Sequence, residues 1–157
     1  MDTKPTILVT GGAGYIGSHA VLALQNSGYN VIILDDLSYG HAELVKDVLK
    51  AELIVGNTSD SSLLNQLFSG KKIAAVMHFA AYIAVGESVN NPSIYYRNNV
   101  VGTLTLLEAM LAANIKKFVF SSTCAIYGMP QEIPMTENHP QNPLSPYAAS
   151  KFMVEQI

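Results

Sequence analysis

Cysteine is nearly absent. Cys124 is the only one in 157 residues, so no intrachain disulfide can form and a reducing, cytoplasmic setting is expected. Charge is sparse as well: charged residues make up 13% of the chain and the formal net charge is −3. No basic cluster exceeds the pairs Lys71-Lys72 and Lys116-Lys117, which speaks against nucleic acid and against an anionic membrane surface as partners. Long apolar runs are missing too. The longest, 73–85, is too short to cross a bilayer and contains His78, and the start Met1-Asp2-Thr3-Lys4-Pro5 lacks the apolar core of a signal peptide. The histidines His19, His41, His78 and His139 share no ligand spacing, so no metal site is expected. His78, inside an apolar strand, reads as a hydrogen-bonded core residue. Apolar side chains are plentiful, at 49%, enough for the core of one ordinary domain.

Those apolar residues fall into short β-branched runs that alternate with amphipathic stretches. Strands are predicted over 6–10, 31–34, 52–55, 74–79 and 117–121. Helices are predicted over 14–27, with Gly28 as its stop, 41–50, 59–68, with Ser59 or Asp60 as its cap, and 92–113. A polar, proline-rich loop covers 129–146, and a last helix starts near Tyr147 and is still running at Ile157. Continuous apolar strands, each followed by a helix, mean a parallel sheet covered on both faces. Right-handed crossovers make this a doubly wound, Rossmann-type α/β sheet of about five strands. No composition shift marks a second domain, so 1–157 reads as one dinucleotide-binding domain, and the uncapped last helix reads as a chain cut short. A short natural terminal helix is the alternative.

Gly11-Gly12-Ala13-Gly14-Tyr15-Ile16-Gly17 sits between the first strand and the first helix, the context a phosphate-binding glycine loop requires. Gly11 permits the tight turn, Gly14 lets a pyrophosphate approach the backbone, and Gly17 lets the helix pack closely. The helix N-terminus then offers N–H groups and a positive dipole end. Asp35 ends the second strand, where a carboxylate can accept hydrogen bonds from the adenosine ribose hydroxyls and repel a 2′-phosphate. Asp36 adds to that repulsion or serves the following turn. The cofactor expected is therefore NAD rather than NADP.

Tyr147 and Lys151 stand four residues apart and share one helix face. A phenol is a poor base at neutral pH, and a nearby ammonium favours its phenolate. Tyr147 can then take a proton from a substrate hydroxyl while hydride leaves the same carbon. Ser121, Ser122 and Thr123 lie at the carboxyl end of the fifth strand, the end where open α/β sheets bind ligands. Ser121 and Ser122 either serve the ligand or cap the strand end; Thr123 can pass a proton to the tyrosine. Cys124 reads as a small core residue.

Taken together, the glycine loop, Asp35, Thr123, Tyr147 and Lys151 resemble the extended branch of the short-chain dehydrogenase/reductase superfamily. Four strings are similar to its UDP-glucose 4-epimerase family: Thr10-Gly11-Gly12-Ala13-Gly14-Tyr15-Ile16-Gly17-Ser18-His19, Val85-Gly86-Glu87-Ser88-Val89, Tyr95-Tyr96-Arg97-Asn98-Asn99-Val100, and Ser121-Ser122-Thr123-Cys124-Ala125-Ile126-Tyr127-Gly128. The resemblance implies that NAD stays bound and oxidises C4 of a UDP-hexose, and that the 4-keto sugar turns and takes hydride back on its other face. It implies Tyr147 as catalytic base, Lys151 as its electrostatic partner and a ligand of the nicotinamide ribose, and Thr123 as relay. It places Tyr15 and Ile16 at the pyrophosphate, Asn57 at the adenine, Phe79, Ala80 and Ala81 beneath the cofactor, and Asn98 on the cofactor side, with Thr58 and Ser121 also among the cofactor-binding residues. A homodimer is implied for a full-length form.

Some positions depart from that pattern. Asn57 stands where the family often has Asp, Ile83 where a lysine is common, and Thr123 where serine is frequent. Cys124 and Ala125 stand where dehydratases place acids, which disfavours dehydration. Family members are roughly twice as long and hold most of the UDP and sugar contacts in the second half, so only the N-terminal half is expected here, with its fifth strand left as an apolar edge. Two alternatives stay open: another NAD-dependent sugar-nucleotide epimerase or dehydratase, and an NAD-binding fragment without turnover.

Overall fold

The computed structural model describes residues 4–157. Five strands, β1 (Thr6–Thr10), β2 (Asn30–Asp35), β3 (Glu52–Val55), β4 (Ile73–His78) and β5 (Phe118–Phe120), form one parallel sheet in the order β3-β2-β1-β4-β5. This is the doubly wound arrangement the apolar runs predict. Leu8, paired with Ile32 and Val76, marks the centre of the ladder.

Successive residues of a strand point to opposite faces, and both faces here are covered, so the strands read as unbroken apolar runs. Leu8, Ile32 and Leu34 join α2 (Ser61–Gly70) and residues 106–115 in one core. Ile7, Val9, Val31 and Ile33 join α1 (Tyr15–Asn26) and a π-helical turn, Leu44–Leu49, in the other. Thr10 and His78 meet inside the sheet, hydroxyl to Nδ1, at 2.6 Å, which satisfies the buried imidazole the sequence predicts. The sheet ends on β3 and β5, and Val119 of β5 is 53% exposed.

The helices differ from expectation in detail. Asp60 does cap α2, accepting the Leu63 N–H, and the helix runs two residues further than its pattern. The stretch 92–112 is helical but in three pieces: α4 (Pro92–Tyr95), a π-helical turn (Tyr96–Val101) and α5 (Gly102–Ala112). Neither α3 (Val85–Asn90) nor a 3₁₀ turn at Cys124–Tyr127 is foreseen by periodicity, because each is shorter than two helical turns. The last helix, α6 (Pro146–Gln156), begins on a Ser145 cap with proline in its first turn.

The described chain divides into two compact units. The first comprises residues up to Ala80 and Thr105–Ser121 and contains the whole sheet; the second comprises Ala81–Leu104 and Ser122–Ile157. In the second unit α6 packs against α3, α4, the π turn at 96–101 and the 3₁₀ turn. No described helix is long and apolar enough to cross a membrane.

Candidate cofactor and proton-transfer residues

In the first unit, the glycine loop leaves β1 and enters α1. Gly11 has φ +72, and a Cβ there would lie 2.5 Å from the Ala80 nitrogen. A Cβ on Gly17 would lie 2.1 Å from the Gly11 carbonyl oxygen. The fold itself therefore requires both glycines. Gly14 differs. Its φ of −86 suits any residue, and a Cβ there would meet only the Gly11 oxygen, at 3.4 Å, an ordinary contact. The protein's own packing does not need glycine at this position. Gly14 is also the N-cap of α1, with no side-chain hydrogen bond and no acid in the first turn. The side chains of Tyr15 and Ile16 are 82% and 60% exposed and stand clear of the core. The helix N-terminus is thus capped by no side chain.

Asp35 is placed where the sequence predicts, and it does more than predicted. Its Oδ2 accepts the Ala13 N–H and its Oδ1 the Leu37 N–H, each at 2.9 Å. The buried carboxylate thus braces the glycine loop and starts the turn after β2. Each oxygen keeps a second lone pair for a ribose hydroxyl. Asp36 serves that turn, accepting the Ser38 N–H at 2.9 Å, and takes the Asn57 amide on its other oxygen at 2.8 Å. Burial pushes the Asp36 carboxyl up, but hydrogen bonds from Ser38 and Asn57 outweigh it and hold the group below its usual range.

The pairing with Asp36 explains Asn57. Its Oδ1 accepts from the Ser59 N–H and hydroxyl while its Nδ2 faces Asp36. An acid at 57 would set two carboxylates against each other. Thr58 beside it is buried. Phe79 donates its N–H to the Thr10 carbonyl, and Ala80 forms the wall against Gly11. Ser121 donates its N–H to the His78 carbonyl, prolonging the β4–β5 ladder.

The second unit carries Thr123, Tyr147, Lys151, Asn98 and Ala81. The Thr123 hydroxyl accepts the Ala125 N–H at 3.2 Å, capping the 3₁₀ turn, and keeps its own hydrogen to donate. Tyr147 is half-buried in the first turn of α6. Lys151, one turn on, is 4% exposed, and burial pulls its ammonium down from 10.5 to about 8, with Glu155 opposing. A lysine so placed is a cation held at a cost.

The residue that anchors this helix escaped the sequence reading. Asn99 is buried and uses its whole amide. Nδ2 donates to the Tyr82 carbonyl and to the Ser150 hydroxyl, both at 3.0 Å, while Oδ1 accepts the Tyr82 N–H at 2.9 Å and the Asn98 amide at 3.1 Å. Ser150 in turn donates to the Tyr147 carbonyl at 2.7 Å. Two consecutive amides within the helical stretch 92–112 were the available signal. Replacing Asn99 with leucine will lower the thermal midpoint by about 4–8 °C, from roughly 2 kcal/mol of stranded buried partners. Asn98→Ala, which leaves three of the four Asn99 amide bonds in place, will shift it less in the same melting experiment. Among the described residues no His, Cys, Asp and Glu group could hold a metal ion.

Three comparisons bear on this arrangement. The family model described as the NAD dependent epimerase/dehydratase family matches residues 7–157. UDP-glucose 4-epimerases of Rhizobium leguminosarum bv. trifolii and Lactobacillus helveticus are 52% and 50% identical to the chain over 151 residues, covering 96% of it and 45% of each relative. The structure of UDP-glucose 4-epimerase from Bifidobacterium longum in complex with NAD+ and UDP matches with a TM-score of 0.93 at 40% identity, over 96% of this chain and 47% of that one. The Brucella ovis enzyme in complex with NAD gives 0.92 at 41%, over 97% and 46%. The chain spans about half the length of the relatives it matches.

Proposed function

The chain belongs to the NAD dependent epimerase/dehydratase family, and from that premise we propose that it is the dinucleotide-binding part of a UDP-hexose 4-epimerase that uses NAD. The observation that carries this reading is Gly14, the one glycine of the loop that the protein's own packing does not demand. Its missing side chain leaves room at an uncapped helix N-terminus, where a pyrophosphate fits. Asp35 would hold the adenosine ribose, with Asn57 toward the adenine; Thr58, Phe79, Ala80, Ala81, Asn98 and Ser121 would supply further cofactor contacts. When bound, NAD supplies the hydride acceptor and donor for C4 of the hexose. Tyr147 takes the proton from the C4 hydroxyl, Lys151 holds the phenol toward its anionic form and binds the nicotinamide ribose, and Thr123 relays the proton. Cys124 and Ala125, in place of acids, favour epimerisation over dehydration. Lone Cys124 supports a cytoplasmic setting.

Calorimetric titration of the purified chain tests the cofactor. NAD should bind, and NADP should bind roughly tenfold or more weakly, because a 2′-phosphate would face Asp35 and Asp36. A chain that binds no NAD(H) sinks the reading. Coverage of 45% of the relatives favours a second reading for these 157 residues, binding without turnover. An assay with UDP-galactose separates the two: epimerisation by the purified chain overturns the silent alternative.

A further inference from the structure

Asp36 and Asn57 leave the sheet side by side. The last paired residues of β2 and β3 are Asp35 and Val55, and Gly56 donates its N–H to the Asp35 carbonyl at 3.0 Å. Just beyond, Asn57 Nδ2 donates to Asp36 Oδ2 at 2.8 Å, while Asn57 Oδ1 accepts the Ser59 N–H at 2.9 Å and the Ser59 hydroxyl at 2.8 Å. Donors on one side and a carboxylate on the other give the amide a single orientation. Asp36 Oδ1 accepts the Ser38 N–H at 2.9 Å, so both carboxylate oxygens are held. An ionised carboxylate has about four lone-pair positions. Bonds from the Ser38 N–H and hydroxyl and from Asn57 leave Asp36, which is exposed, with room for a donor from outside the protein.

The pair lies within the first unit, at the carboxyl edge of the sheet, where β3, β2 and β1 stand in that order. The glycine loop follows β1, and Asp35 ends β2. With the pyrophosphate at the start of α1 and the adenosine ribose at Asp35, the base, carried on the far side of the ribose from its phosphate, falls beyond β2 toward the end of β3. Asp36 and Asn57 stand there. The exocyclic amine of adenine is a hydrogen-bond donor, and its ring nitrogens are acceptors. A carboxylate accepts only, so the amine is the group it can select.

We propose that Asp36 accepts a hydrogen bond from the exocyclic amine of the adenine and so selects the base of the dinucleotide, with Asn57 as the positioning residue that holds its carboxylate. This rests on the function proposed above. Hypoxanthine carries a carbonyl oxygen in place of the amine, and that oxygen would face the carboxylate with no proton between them.

The test titrates the 157-residue chain, Asp36→Asn and Asn57→Ala with NAD and with nicotinamide hypoxanthine dinucleotide. The two ligands share phosphates and riboses, so a change of charge at 36 or a loosened turn cancels in the ratio of their affinities, and only recognition of the base remains. Wild type should prefer NAD by about 10-fold or more, the value of one hydrogen bond to a charged group. Asp36→Asn should bring the ratio close to one, because its amide can turn to donate to the hypoxanthine oxygen. Asn57→Ala, which leaves the carboxylate unfastened, should lower the ratio by about 3-fold or more. Both positions are at or near the surface, so both variants should melt within a few degrees of wild type. A brace between two turns and nothing more would weaken both ligands alike, and an unchanged ratio in either variant overturns the proposal. Wild-type chain that binds no NAD takes down the proposed function and this inference with it, whereas wild-type chain that binds both dinucleotides equally takes down this inference alone.

Discussion

Replacing Gly17 with alanine will abolish detectable dinucleotide binding and lower the melting temperature by about 6–12 °C, from roughly 3 kcal/mol of lost stability. The new Cβ would sit 2.1 Å from the Gly11 oxygen and 2.9 Å from the Gly12 Cα. Gly11 has nowhere to retreat. Its N–H is bonded to the Leu34 carbonyl at 2.9 Å, its oxygen accepts the Gly14 N–H at 3.2 Å, and the Ala80 backbone stands behind it. The helix must move instead, and α1 is fastened to the core by the buried Val21. The informative control is Gly14→Ala. It should melt within a few degrees of wild type, since Gly and Ala differ by about 1 kcal/mol or less as helix caps, yet bind NAD much more weakly. Equal binding by Gly14→Ala would show that no ligand uses that space.

Lys151 sets up the second large effect, and its sign is opposite to that of an ordinary stabilising charge. The ammonium has a pKa near 8 in the folded chain against 10.5 when exposed, because burial penalises the charge. Between those values the unfolded chain holds more protons than the folded one, so stability rises with pH across that window. Below pH 8 the penalty is present in full; above 10.5 it is gone. The 2.5-unit difference corresponds to about 3 kcal/mol. Lys151→Met should accordingly be more stable than wild type at pH 7 by an amount of that order, and the advantage should fade as pH rises toward 10.5. Urea denaturation of both chains at several pH values reads this as a difference, in which the other titrating groups cancel. A methionine variant no more stable at pH 7 would contradict the buried, penalised ammonium. Gain of stability on removal of a buried charge is the pattern of a group kept for function, which agrees with the role proposed for Lys151.

How far the sequence anticipates this molecule varies from residue to residue. The sheet is legible because both its faces are buried, which turns β1, β2 and β4 into unbroken apolar runs. Gly11 and Gly17 are legible because their spacing between a strand and a helix has one geometric use. Asp35 is half legible. Its place follows from the end of β2, but its two bonds to Ala13 and Leu37 depend on how the loops close over it. Asn57 looks like a weakened binding residue until Asp36 is seen opposite it. The π turns at 44–49 and 96–101 widen a helix by one residue per turn, too little to disturb a hydrophobic pattern. Asn99 is the clearest omission, since its partners lie 17 and 51 residues away and no local rule brings them together.

The path of the chain also bears on how such a protein can change over generations. The segment 105–121 returns to the sheet between the two stretches that build the second unit. Asn99 and its partner Ser150 stand on opposite sides of that excursion. Genetic recombination with one crossover between those two positions parts them, giving a daughter chain the tyrosine helix of one parent and its asparagine anchor from the other. Exchange of α6 alone should be tolerated best where both parents supply the same pair at 99 and 150.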